Sequence, residues 1–188
     1  MKLSKIGALC KSAKRFVIYR TWQGQWISDG CAIYPIRELP MLKEDNVFAL
    51  FDIPEDKREK VQYSEGNVPY GIDLADVCDD EVVVQLSPIS LVYKGAVVTP
   101  MKGRSGILYI DRKYLSPFGD DITLYERYYP RSERSYIAVK RGLLLEGIIL
   151  PAEIATKELA NTLKHISELT ALVAGVDGYE AEQEEIGI

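Results

Sequence analysis

The chain has 188 residues and a formal net charge of −5 at pH 7, which is the length of one domain or of one domain with an appendage. No apolar run approaches the roughly 20 residues that cross a bilayer, and the basic N-terminus lacks the apolar segment of a secretory signal. The three cysteines are an odd number at irregular spacings, which argues against a disulfide framework and for a reducing compartment. We therefore expect a cytoplasmic protein with no membrane partner.

Charge is distributed unevenly along the chain. Residues 1–20 carry six basic side chains and no acidic one, whereas residues 65–81 carry six acidic side chains and no basic one. The tail beyond Gly175 is purely acidic. Such asymmetry permits a basic face for nucleic acid, with acidic segments elsewhere.

The first half of the chain predicts a short helix followed by strands. Leu3, Ile6 and Leu9 repeat at helical spacing, which predicts a helix over residues 3–13 with its lysines mostly on the other side. Runs of β-prone residues follow at 16–19 and 26–34. The pattern predicts another strand over 47–53 and mostly loop over 61–80.

The second half predicts more strands and one capped helical turn. Strands are expected at 81–86 and 107–110, with a hairpin over 91–98 between them and a glycine-containing loop at 101–106. Asp111 is expected to cap a short helix that ends by Pro117. Three more strands are predicted at 122–129, 135–140 and 143–150.

The clearest predicted helix covers residues 152–174. Its apolar stripe is formed by Leu159, Leu163, Ile166, Leu169 and Val173. We expect this stripe to pack inside the molecule, with a dimer interface as the alternative. The predicted class is α+β: a mainly antiparallel sheet with short helices packed on one face and a longer C-terminal helix. We expect one domain over 1–150, with a two-half repeat within it, the amphipathic helix over 151–175 and a flexible acidic tail over 176–188.

No catalytic or metal-binding motif stands out, so we expect a non-enzymatic binding module without a cofactor or an evident small-molecule substrate. His165 is the only histidine and is expected on the surface of the last helix. The cysteines lack the close pairing of zinc ligands and are expected to be buried and inert. The carboxylates of Asp73, Asp76 and Asp80 leave a metal-dependent hydrolase as an alternative hypothesis.

Aromatic residues and arginines alternate between Tyr125 and Tyr136. This composition suits stacking on bases and pairing with phosphates, and it equally suits the half-buried face of a twisted hairpin. The candidate nucleic-acid contacts combine these arginines with the basic side chains around the first helix: Lys5, Lys11, Lys14, Arg15, Arg127, Arg131 and Arg134.

A short helix precedes antiparallel strands twice along the chain. Three short segments are similar to parts of DNA sliding clamps. Residues 26–30 (Trp-Ile-Ser-Asp-Gly) resemble the turn after a clamp hairpin, and residues 109–115 with 122–124 resemble the clamp helix and the strand after it. Residues 148–151 (Ile-Ile-Leu-Pro) resemble the end of a clamp's last strand. This resemblance to the processivity factors of replication implies a helix-lined basic face towards duplex DNA. Clamp rings contain several such domains and this chain has room for about one, so a ring implies self-association.

Besides the metal-dependent hydrolase, the sequence supports two functional hypotheses. The first is a clamp-like, DNA-associated replication accessory protein that contacts the phosphate backbone without reading sequence. The second is a protein-interaction or structural module that uses the C-terminal helix, as in a homo-oligomer, and the Tyr-rich hairpin.

Overall fold

The computed structural model describes residues 1–104, 106–129, 134–154 and 156–174. Residues Met1–Ala152 form one compact unit, and the C-terminal helix α4, Lys157–Ala174, belongs to a second unit. The fold is α+β with a mixed, mostly antiparallel sheet, which confirms the predicted class. No helix within the described ranges is long and apolar enough to span a membrane.

The first half of the large unit begins with a helix and a three-stranded meander. Its elements are α1 Leu3–Ala13, β1 Arg15–Thr21, β2 Gly24–Ser28, β3 Ala32–Ile36, α2 Glu44–Leu50, α3 Glu55–Arg58 and β4 Gln62–Gly66. The second half contains β5 Val82–Val84, β6 Leu91–Tyr93, β7 Ala96–Gly103, β8 Gly106–Asp111, the 3-10 helix Arg112–Leu115, β9 Thr123–Tyr129, β10 Arg134–Arg141 and β11 Leu144–Ile149.

Eight strands form one sheet in the order β4-β1-β2-β3-β11-β10-β9-β5, and β6-β7-β8 form a second sheet. Among the described strands, only the β1–β4 pair is parallel; the other pairs are antiparallel. The meanders β1-β2-β3 and β9-β10-β11 meet at their last strands, where Ile33 lies opposite Ile148. A helix precedes each meander, α1 the first and the 3-10 helix the second.

The large sheet is buried on both faces. Along β1, Phe16 and Ile18 point to one hydrophobic cluster, whereas Val17 and Tyr19 point to the other, as the alternation of a strand requires. The first cluster also takes the buried side chains of α1, α2 and the 3-10 helix, so these helices lie on one face of the sheet. The opposite face is covered by apolar residues of the segment between β4 and β5, including Leu74.

Several predicted elements are confirmed and others are wrong. The helix over Leu3–Ala13 and the cap of Asp111, whose side chain accepts from the Lys113 backbone N–H at 3.1 Å, are as predicted. The strand predicted over 47–53 is instead the second half of α2 and the turn that follows it, which together bury the apolar side chains of Val47, Phe48 and Phe51.

Three boundaries also differ from the prediction. Part of the predicted loop over 61–80 is β4, which pairs with β1 far back in the chain. The predicted loop at 101–106 is largely strand, because β7 continues to Gly103 and β8 begins at Gly106. The last helix begins at Lys157 rather than at residue 152.

Candidate nucleic-acid interface

Helix α1 supplies the first wall of a basic groove. Ile6, Leu9 and Cys10 are buried under the helix, which leaves Lys11 exposed in its last turn. The helix ends at Lys14, which adopts the left-handed conformation (φ 52°) and donates its backbone N–H to the carbonyls of the last turn. Basic side chains at this end also interact favourably with the helix dipole.

The segment from Asp52 to Val61 supplies the second wall. Pro54 precedes the short helix α3, and Lys57 and Lys60 are exposed at its end. The backbone N–H of Gln62, which begins β4, donates to the Lys14 carbonyl at 2.9 Å. This bond continues the parallel pairing of β1 and β4 and ties the second wall to the end of α1.

The groove between the two walls has a volume of about 350 Å³. Its lining residues are Lys11, Lys14, Asp52, Ile53, Pro54, Lys57, Lys60 and Val61. Four lysines and one aspartate are thus among the residues that line the groove. Among the residues that the structure describes, none of these four lysines forms a salt bridge. The result is a locally positive surface on a chain whose net charge is negative.

The structure brings two of the predicted contacts into the groove, Lys11 and Lys14, and separates the others from it. Lys5 is exposed on α1 but does not line the groove. The exposed Arg15 has its Nη1 only 3.0 Å from where a Cβ on Gly30 would lie, so it sits against the β2–β3 turn. Arg134 is exposed at the start of β10, and Arg131 lies outside the described residues.

Arg127 is not available to a phosphate, which corrects its prediction as a nucleic-acid contact. Its side chain is only 1% exposed, and its Nε donates to Glu81 Oε2 at 2.9 Å. Its Nη1 donates to the backbone carbonyls of Asp73 at 3.1 Å and Ala75 at 2.8 Å. Lys140, also buried, forms a second salt bridge with Glu81 at 2.5 Å. Arg127 therefore holds residues 73–81, which precede β5, against the sheet.

The acidic segment that motivated the metal hypothesis makes internal hydrogen bonds. Asp73 Oδ1 accepts from the Ala75 backbone N–H at 2.8 Å, and Asp76 Oδ1 accepts from that of Leu145 at 2.8 Å. In the described ranges, no three His, Cys, Asp or Glu side chains are grouped so that they hold a metal ion. The Asp73 and Asp76 carboxylates thus have a role in fixing this segment.

The cysteines differ from one another in exposure. Cys10 is buried under α1, and burial, with a smaller effect of the Asp29 charge, raises the pKa of its thiol, so it is expected to be inert at neutral pH. Cys31 is exposed and Cys78 is half-buried, so the prediction that all three are buried is wrong. His165 is exposed on α4, as predicted.

A second basic depression, of about 650 Å³, lies beside the 3-10 helix. Its charged lining residues are Lys94, Asp111, Arg112 and Lys113. Lys113 Nζ already pairs with Asp111 Oδ2 at 3.0 Å, which neutralises part of this surface. The groove beside α1 therefore offers the greater density of unpaired positive charge.

Lys11 and Lys14 on the first wall of the groove were predicted from the sequence, whereas Lys57 and Lys60 on the second wall were not. Lys57 and Lys60 lie in a segment whose composition indicates only an exposed, charged stretch. Their place beside Lys14 depends on the parallel pairing of Arg15 with Gln62, for which no local signal exists.

Comparison with protein families, with curated proteins and with solved structures finds no match to this chain. The resemblance to sliding clamps therefore stays a prediction based on the short segments that carry it.

Proposed function

We propose that this protein is a non-enzymatic binding module that holds the phosphate backbone of DNA in the groove formed by Lys11, Lys14, Lys57 and Lys60. The observation that supports this proposal is the convergence of four unpaired lysines from two separate segments on one groove. Because the net charge of the chain is −5, such a local concentration of positive charge is not expected from composition alone.

The proposed mechanism is electrostatic. Each lysine that approaches a phosphate releases a condensed counterion, so affinity falls with rising salt and does not depend on base sequence. Lys5 and Arg15 are exposed but do not line the groove, so they are not among the four proposed contacts. A cytoplasmic accessory role in replication is part of the proposal, and it depends on the resemblance to sliding clamps and on the irregular, odd set of cysteines.

The test is fluorescence anisotropy with labelled duplex and single-stranded DNA. Between about 50 and 200 mM salt, the wild-type affinity for duplex is expected to fall about a hundredfold, as four phosphate contacts predict. Replacing Lys11, Lys14, Lys57 and Lys60 with glutamine is expected to abolish binding, because these side chains supply the contacts.

The matched control replaces four other exposed lysines with glutamine, namely Lys94, Lys102, Lys157 and Lys164. Each variant loses four positive charges, so a general effect of net charge lowers the DNA affinity of both variants equally. Equal loss of affinity in the two variants, or no binding of the wild type at low salt, would contradict the proposal. Circular dichroism melting of each variant shows whether folding is retained.

A second candidate function is self-association through α4. Its second half exposes a row of apolar side chains at helical spacing: Ile166 (52% exposed), Leu169 (50%), Leu172 (81%) and Val173 (87%). Exposed apolar rows of this kind mark protein–protein contacts. Sedimentation equilibrium is expected to show a dimer or larger species that Leu169→Glu/Leu172→Glu converts to a monomer, and a monomeric wild type would rule this function out.

A further inference from the structure

The basic groove has an apolar floor that phosphate groups do not use. Ile53 is 7% exposed and Val61 is half-buried, whereas the lysines are exposed. We therefore take the apolar side chains as the floor of the groove and the lysines as its rim. Pro54 adds a third apolar surface. A ligand that fills this groove therefore carries an apolar surface as well as negative charge.

The groove also contains a hydrogen-bond acceptor. Asp52 is exposed and lines the groove between the two pairs of lysines in sequence. A carboxylate repels a phosphate placed beside it but accepts hydrogen bonds from N–H and O–H groups. The preferred ligand is thus expected to carry N–H or O–H donors outside its phosphate groups.

Building on the proposed function, we propose that the groove holds one nucleotide unit of an unpaired strand. The lysines contact the phosphates on both sides of this unit and those of the neighbouring units, Ile53 and Val61 contact its base and sugar, and Asp52 accepts from an amino or hydroxyl group. The volume of about 350 Å³ is at the lower end of the roughly 300–1,000 Å³ of small-ligand pockets. A base reaches such a floor only when it is outside the duplex stack.

An unpaired strand differs from the duplex DNA that the resemblance to sliding clamps implies as a ligand. A duplex presents its backbone to the lysines but keeps its bases paired, so it contacts the rim of the groove only. A single strand contacts both the rim and the floor. We therefore expect single strands to bind more tightly than duplex at equal salt, because the salt-independent contact with Ile53 and Val61 adds to the phosphate contacts.

The experiment compares three labelled probes by fluorescence anisotropy at one low salt concentration. The probes are oligo(dA), an abasic deoxyribose-phosphate oligomer of the same length, and a duplex of that length. Oligo(dA) is expected to bind about tenfold more tightly than the abasic oligomer, because the abasic oligomer keeps the sugars but lacks the bases that contact the apolar floor. The duplex is expected to bind with about the affinity of the abasic oligomer.

Three variants locate the base contact. Val61→Ser is expected to remove most of the preference for oligo(dA) over the abasic oligomer, because it removes part of the floor. Asp52→Asn is expected to reduce the same preference, because the carboxylate that accepts from the base is lost. It is also expected to strengthen binding of the abasic oligomer slightly, because one negative charge no longer repels the phosphates. Val83→Ser, at an exposed valine far from the groove in sequence, is the matched control and is expected to leave the preference unchanged.

The outcomes separate this inference from the proposed function. Equal affinity for oligo(dA) and the abasic oligomer, or tighter binding of the duplex than of oligo(dA), overturns the inference and leaves the proposed function standing. No binding of any probe overturns both. A further measurement with phosphatidylserine vesicles tests whether the groove binds the phosphate of a lipid headgroup instead. If the protein sediments with these vesicles under conditions in which it does not bind oligo(dA), the inference is also overturned.

Discussion

Replacing Glu81 with glutamine is expected to lower the free energy of unfolding by about 3–5 kcal/mol, the usual cost of removing one partner from a buried ion pair. Glu81 is the carboxylate of both the Arg127 and the Lys140 salt bridge, and those two cations are 1% and 3% exposed. Glutamine keeps the shape of the side chain but leaves two buried positive charges without a counter-charge. The measurement is the urea midpoint by circular dichroism, with the slope of the transition checked for constancy.

The control for this prediction is Asp121→Asn. Asp121 pairs with Arg141 at 3.4 Å, but both side chains are well exposed, and exposed pairs contribute little because water screens them. We therefore expect the urea midpoint of Asp121→Asn to stay near that of the wild type. Similar small shifts in both variants would show that the Glu81 pairs do not stabilise the fold.

The second large effect is expected at Phe51, which packs under α1. Phe51→Ala is expected to cost about 3–5 kcal/mol of unfolding free energy, because it opens a cavity in the core. The ring centroid of Phe51 lies 5.4 Å from that of Phe16, and a Cβ placed on Gly7 would lie only 2.3 Å from Phe51 Cδ1. The ring therefore fills the space that the missing side chain of Gly7 leaves.

A double-mutant cycle tests this packing directly. Gly7→Val alone is expected to destabilise by about 1–3 kcal/mol, because its side chain overlaps the Phe51 ring. In the Phe51→Ala background the same substitution fills part of the cavity, so its cost is expected to shrink or reverse sign. Additive effects of Gly7→Val and Phe51→Ala on thermal or urea unfolding would contradict the contact.

DNA affinity, measured below the melting transition, is also expected to fall in Phe51→Ala, since Asp52 to Pro54 line the groove.

Secondary structure was predictable where the local pattern of apolar residues fits only one type of element. The apolar period of residues 3–13 and the lysines opposite it fit only a helix, and α1 has those bounds. Residues 47–53 are apolar enough to fit a strand as well as a helix. The helix forms because it places Val47, Phe48 and Phe51 together in the core, and this choice depends on residues elsewhere in the chain.

The candidate site shows the same division between local and distant determinants. Lys11 and Lys14 were predictable because they follow an apolar helical stripe that must be buried. Arg127 was not predictable as a buried residue, since its partner Glu81 is 46 positions away. An arginine in an aromatic, strand-forming segment has the same local sequence whether it faces solvent or an internal carboxylate.

The sequence by itself determined the class of the fold, the extent of α1, the cap at Asp111 and the basic character of the first twenty residues. These follow from side-chain periodicity and charge, which act between neighbours in the chain. Only the tertiary structure decided that Lys57 and Lys60 join Lys11 and Lys14 around one groove. The physical reason is that the parallel pairing of β1 with β4 aligns Arg15 with Gln62, and such a long-range register is fixed by packing of the whole sheet rather than by local sequence.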